Sequence, residues 1–99
     1  MKKVALITGA SSGIGKATAR AFATQKFDLI LCGRRQDALD ELKAELSQLV
    51  SVTTLSFDIR DKTEVFKQIE SLPKEFQKVD ILVNNAGNAH GMDSIQAGN

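Results

Sequence analysis

Eight residues, TGASSGIG at positions 8 to 15, crowd three glycines, two serines and a threonine into one short turn. Backbone N–H groups that no side chain screens can close around an anion. A helix opening in such a turn adds its own unpartnered N–H groups and the positive end of its dipole. Gly9 permits a tight turn. Gly13 and Gly15, with Ile14 between them, let the backbone approach a ligand and let the helix pack close to the preceding strand. Ser11 and Ser12 add hydroxyl donors. The chemistry indicated is the holding of a phosphate or pyrophosphate, although a glycine turn can also serve only as a turn.

Other chemistries find little support. A P-loop requires G-x-x-x-x-G-K-[ST]. Gly15-Lys16 offers the last Gly-Lys, but position 10 is Ala and position 17 is Ala, so the hydroxyl for Mg²⁺ is missing. The single histidine, His90, lies in a glycine-rich tail (GNAHGMDSIQAGN), reads as solvent-facing and has no visible partner for a metal site. The single cysteine, Cys32, sits in the apolar run FDLILC and reads as a small buried hydrophobe. One cysteine makes no disulfide framework. No metal site is expected.

The elements that must position the turn follow from periodicity. Val4 to Ile7, Asp28 to Cys32, Ser51 to Phe57 and Asp80 to Val83 are short apolar or β-branched runs. Their length suits strands buried on both faces of a parallel sheet. Helical patterns lie between them. Ile14, Ala17, Ala21 and Phe22 share one face over 14 to about 25. Leu39, Leu42, Leu46 and Leu49 form an apolar stripe, and so do Val65, Ile69 and Leu72. Asp61 and Glu64 have capping-box spacing before the third helix, and Pro73 is placed to stop it. The expected order is β-α-β-α-β-α-β, an α/β parallel sheet with helices on both faces.

Length and charge bound the rest. Ninety-nine residues make one domain at most, and a doubly wound sheet usually needs more. The chain is 42% hydrophobic and 25% charged, with a net charge of +1. That balance argues against a nucleic-acid surface and a polybasic membrane anchor. After Lys2 and Lys3, VALI is too short for a signal-peptide core, and no run approaches a membrane span. The cytoplasm is the expected compartment.

The spacing in TGASSGIG resembles the T-G-x-x-x-G-x-G motif of the short-chain dehydrogenase/reductase family. NNAG at 84 to 87 resembles that family's second signature, and Asp58-Ile59 after the third strand resembles its D-[VI] position. All three stand at the ends of expected strands, where open parallel sheets bind ligands. Within the family, GRRQDALDEL and LPKEF…VDILVNNAG…GMD look most like the NADP-dependent 3-hydroxy acid and serine dehydrogenases. The resemblance implies a Rossmann-type fold and hydride transfer between a nicotinamide and a carbinol or carbonyl carbon. It implies that Asp58 accepts from the adenine amino group and that Ile59 supplies a backbone donor. It also implies that Asn85, Ala86 and Gly87 line the adenosine ribose. A turn and an apolar plug is the other reading of Asp58-Ile59. Asn84 and Asp80 are expected to be structural.

The cofactor is read at Gly33-Arg34-Arg35. NAD-selective sites place a carboxylate after the second strand, and that carboxylate would repel a 2′-phosphate. Guanidinium forks pair with such a phosphate instead. NADP is therefore expected rather than NAD, with Arg34 and Arg35 as its ligands. The two arginines can also be solvated residues opening the second helix, with Asp37 able to cap it.

The family's general acid/base is a Tyr in Y-x-x-x-K, and this chain has no Tyr. No catalytic residue is assigned. Residues 1–99 are expected to be the N-terminal dinucleotide-binding portion of one Rossmann domain, before its catalytic half. The complete enzyme is expected to act on a small hydroxy or carbonyl substrate, as a homo-tetramer by resemblance. The alternative is a stand-alone dinucleotide-binding module without catalysis.

Overall fold

The computed structural model describes residues 2–58 and 61–85. Their elements are β1 (Val4–Thr8), α1 (Gly13–Thr24), β2 (Asp28–Gly33), α2 (Gln36–Leu46), β3 (Val52–Ser56), α3 (Lys62–Glu70), a 3-10 turn (Lys74–Phe76) and β4 (Ile81–Asn84). The four strands form one parallel sheet in the order β3-β2-β1-β4. The chain steps outward from β1 to β3 and then crosses back to the far side of β1. That reversal is the switch point of a Rossmann-type sheet.

Side chains alternate across the sheet and build two cores. Ala5, Ile7, Leu29, Leu31 and Val52 pack with Ala19 and Ala23 of α1 and with Leu39, Leu42 and Leu46 of α2. Val4, Leu6, Ile30, Cys32 and Leu55 pack on the other face with Leu72 and Phe76, flanked by Val65 and Ile69 of α3. Continuous apolar strands are thus explained by helices on both sides. Among the described residues β4 stands at the sheet edge, with Leu82 58% exposed.

Two helix faces differ from expectation. Ile14 is 72% exposed, Ala17 and Ala21 are exposed, and only Phe22 of that group packs on the core. The buried stripe of α1 is Gly15, Ala19 and Ala23. Small residues let the helix axis lie close to the sheet, and a large apolar stripe would hold it away. Phe22 instead meets Phe27 edge-to-face at 5.0 Å. In α2 the stripe Leu39, Leu42, Leu46 is buried, but the helix ends at Leu46 and Leu49 is exposed.

The ends of α3 follow the expected chemistry. The Asp61 carboxylate accepts from the Glu64 amide at 3.1 Å. Glu64 turns its own carboxylate to Gln68. The helix stops at Glu70, before Pro73.

Two carboxylates pin the strand starts at the opposite edge of the sheet from the glycine turn. Asp80 accepts from the Val4 amide at 2.8 Å, tying β4 to β1. Asp28 accepts from the Ser51 amide at 3.0 Å, tying β2 to the start of β3. Asp80 is structural, as its sequence position suggested.

Candidate dinucleotide site at the strand ends

Parallel strands bring Thr8, Gly33, Ser56 and Asn84 to one edge of the sheet. The glycine turn lies there. Gly9 has φ 64°, the left-handed region that glycine adopts without strain. Ser12 is the N-cap of α1. Its hydroxyl donates to the Gly9 carbonyl at 2.8 Å and accepts from the Gly15 amide at 3.2 Å. The Ala10 amide donates to the Cys32 carbonyl at 2.9 Å, fixing the turn over β2. The Gly13 and Ile14 amides open the helix and have no acceptor among the described residues.

The two later glycines divide the work expected of both. A Cβ at Gly15 would lie 2.0 Å from the Gly9 carbonyl oxygen, so Gly15 is required for the helix to seat on the turn. A Cβ at Gly13 would meet nothing within 4 Å among the described residues. Gly13 therefore presents open backbone on the outer side, the geometry a ligand's approach requires.

Ser11 links this turn to the arginines. A Cβ at Gly33 would stand 3.0 Å from Ser11 Oγ and 3.3 Å from a Leu39 methyl. The hydroxyl of Ser11 thus lies against the β2 terminus, from which Arg34 and Arg35 project into solvent. Arg35 is the N-cap residue of α2 and makes no side-chain cap. Asp37 does not cap the helix either. It stands in the first turn, 3.5 Å from Arg35 Nη2. The Ala38 backbone amide, and after it Arg35, hold the Asp37 carboxyl below the usual carboxylate range. Arg34 has no ion pair among the described residues.

At the switch point a hydroxyl joins the two signatures. Thr8, 4% exposed, donates from Oγ1 to Asn84 Oδ1 at 2.9 Å and accepts from the Asn85 amide at 3.0 Å. The Asn84 amide side chain therefore ties β1 to β4, the structural role expected for it. Thr8 received no role of its own from the local sequence pattern. Its signal was available, since both signatures begin at strand ends that a parallel sheet sets side by side. Asn85 Nδ2 is buried and has no hydrogen-bond partner among the described residues. A buried donor without an acceptor is costly, and a ligand oxygen at the switch point would satisfy it.

Asp58 is half-buried just beyond β3, and its carbonyl accepts from the Asp61 amide at 2.9 Å. Ile59, Ala86, Gly87 and His90 lie outside the described residues. Cys32 lies beneath the turn, where burial pushes its thiol up to about 12. It is no nucleophile. Among the described residues no three His, Cys, Asp or Glu side chains gather as a metal site, and no helix is long and apolar enough to cross a membrane.

The assembled edge offers free amides, a helix N-terminus, the Ser11 hydroxyl, two guanidinium groups and an orphan amide donor; the Ser12 hydroxyl, expected as a further donor, has already given its one hydrogen to the Gly9 carbonyl. Such a set suits an extended ligand with phosphates at one end and hydroxyl or carbonyl oxygens along it.

Comparison with known proteins agrees with this geometry. Sulfoacetaldehyde reductase 2 of Chromohalobacter salexigens is 52% identical over 87 residues, covering 88% of this chain and 34% of that protein. The NADP-dependent 3-hydroxy acid dehydrogenase of Schizosaccharomyces pombe is 49% identical, covering 94% of this chain and 37% of its own length. The crystal structure of L-sorbose reductase from Gluconobacter frateurii, complexed with NADPH and L-sorbose, superposes with a TM-score of 0.80 at 41% identity. That match covers 87% of this chain and 34% of the reductase. The chain thus spans about a third of the length of the curated relatives it matches. The family model described as short chain dehydrogenase matches residues 3–98. This chain, with its glycine turn, switch point and parallel sheet, belongs to the short-chain dehydrogenase family.

Proposed function

We propose that residues 1–99 are the N-terminal NADP(H)-binding portion of a single Rossmann domain. The complete enzyme is an oxidoreductase that moves a hydride between NADP(H) and a small hydroxy or carbonyl substrate, a 3-hydroxy acid in the first instance. The observation that carries the reading is the Arg34–Arg35 pair at the end of β2, placed against the glycine turn through Ser11 and Gly33. In this proposal Gly9, Ser11, Ser12, Gly13, Ile14 and Gly15 receive the pyrophosphate. Arg34 and Arg35 receive the 2′-phosphate. Asp58 and Ile59 meet the adenine, and Asn85, Ala86 and Gly87 meet the ribose.

The orphan Asn85 Nδ2 and the open side of Gly13 fit such a ligand. The dinucleotide, when bound, supplies the redox chemistry, and these residues bind and orient it. The proposal places the complete enzyme in the cytoplasm as a homo-tetramer, by resemblance to the family. The NADP-dependence in the Schizosaccharomyces pombe relative's name supports the choice of cofactor.

A second reading is favoured by one fact: these 99 residues contain no Tyr, so this chain alone holds no Tyr acid/base. On that reading it binds a dinucleotide and turns nothing over.

Titration of the purified protein with NADPH and NADH, alongside its intact mass, tests both. NADPH is expected to bind more tightly than NADH. Arg34→Ala and Arg35→Ala are each expected to weaken NADPH by about tenfold or more, the loss of a charge-assisted contact, and to spare NADH. A mass above 10.7 kDa with NADPH-dependent turnover supports the enzyme. A mass of 10.7 kDa with tight NADPH binding supports the module. Binding of neither cofactor sinks both readings for this chain.

A further inference from the structure

The two arginines at the end of β2 are not equivalent. Arg34 has no ion pair among the described residues, whereas Arg35 Nη2 lies 3.5 Å from Asp37 Oδ2. Both members of that pair are well exposed, at 68% and 75%, so the contact is weak and exchangeable. Asp37 does not depend on Arg35 for its place. It stands in the first turn of α2, where the helix dipole and unpartnered amides favour a carboxylate. Its depressed pKa, set first by the Ala38 amide, keeps it charged at neutral pH. A phosphate arriving at Arg34 and Arg35 must therefore draw one guanidinium from a resident anion and settle beside that anion.

We propose that Asp37 is an internal competitor of the 2′-phosphate. It stands 3.5 Å from one guanidinium nitrogen of Arg35, Nη2, in the free protein and gives up that contact when the phosphorylated dinucleotide binds. Affinity for that ligand is thereby lowered, while affinity for its unphosphorylated analogue is untouched. Asp37 is a specificity-determining residue opposite in sign to the arginines. The inference rests on the reading of the arginine pair given above.

The test is titration of wild type, Asp37→Asn and Asp37→Ser with NADPH and NADH, at low and high salt. Serine at position 37 still offers an oxygen to the helix amides, which guards against a variant that fails to fold. Removing one negative charge at this range is expected to tighten NADPH by about three- to tenfold at low salt. NADH binding stays unchanged, and most of the gain vanishes at about 1 M salt. In an Arg35→Ala background the same substitution is expected to give less than half the gain. Unchanged or weakened NADPH binding in both variants, beside a wild type that prefers NADPH, overturns the inference and leaves the function standing. A weakened affinity would make Asp37 a holder of Arg35 instead. Equal shifts for both cofactors also overturn it. A wild type that does not prefer NADPH overturns the function and the inference together.

Discussion

Gly15→Ala tests whether the glycine turn is built by close packing. The added methyl would lie 2.0 Å from the Gly9 carbonyl oxygen and 2.7 Å from both Ala10 Cα and the Gly9 carbonyl carbon. All three atoms are backbone, so no side chain can rotate aside. The helix must withdraw from the turn by about 1 Å or more to reach ordinary contact. Overpacking of this kind costs about 1–3 kcal/mol. Withdrawal also lengthens the Gly15 amide to Ser12 Oγ cap, worth about 1 kcal/mol. The better helix propensity of alanine returns about 1 kcal/mol. The net loss is about 1–3 kcal/mol, which lowers the melting temperature of a domain this size by about 5–20 °C. Gly13→Ala makes the same chemical change with nothing within 4 Å among the described residues, so it is expected to be neutral or stabilising by up to about 1 kcal/mol. Thermal and urea denaturation followed by far-UV circular dichroism compares the two. If Gly15→Ala melts with Gly13→Ala, the close seating of α1 on the turn is refuted. Cofactor titration adds a second contrast. Gly15→Ala should bind poorly because the turn has moved, and Gly13→Ala should bind poorly while remaining fully folded.

Thr8→Val removes the hydroxyl that joins Asn84 Oδ1 to the Asn85 amide, and urea denaturation should show a loss of about 1–3 kcal/mol, with Thr8→Ser recovering most of it. Lys26 has φ 69° in the turn between α1 and β2, so Lys26→Gly should raise stability by about 1 kcal/mol; a lower melting temperature would show the strain to be absent. Burial raises the Cys32 thiol from 9.0 to about 12. The folded state therefore holds its proton above the pH at which the unfolded chain loses it. The stability this contributes is whole below pH 9.0 and declines towards pH 12, by about 1.4 kcal/mol per unit. Cys32→Ala should show a flatter alkaline decline, and rapid reaction of native Cys32 with a thiol reagent at pH 8 would contradict its burial.

Much of the candidate site was legible because its residues are local in sequence. A glycine turn between an apolar run and a helical pattern fixes its own chemistry through backbone freedom and unpartnered amides. Short unbroken apolar runs such as Val4 to Ile7 and Asp28 to Cys32 required a sheet covered on both faces, and the two cores supply that cover. The Asp61 cap was legible for the same reason, since its partner is three residues away.

What periodicity could not decide was which of two apolar stripes α1 would bury. Ile14, Ala17 and Ala21 carry more apolar surface than Gly15, Ala19 and Ala23, yet the smaller stripe faces the sheet. The choice depends on how near the helix axis can come to β1 and β2, a distance that exists only once the strands are paired. The switch point is of the same kind. Thr8 and Asn84 are distant in sequence and become hydrogen-bonded partners because β4 crosses back to lie beside β1. Local chemistry along the chain determined the elements, their order and the opening of α1 in a glycine turn. The tertiary structure decided which face each helix presents, which glycine is obligatory and which hydroxyl joins the two signatures, since these rest on distances between segments far apart in the chain.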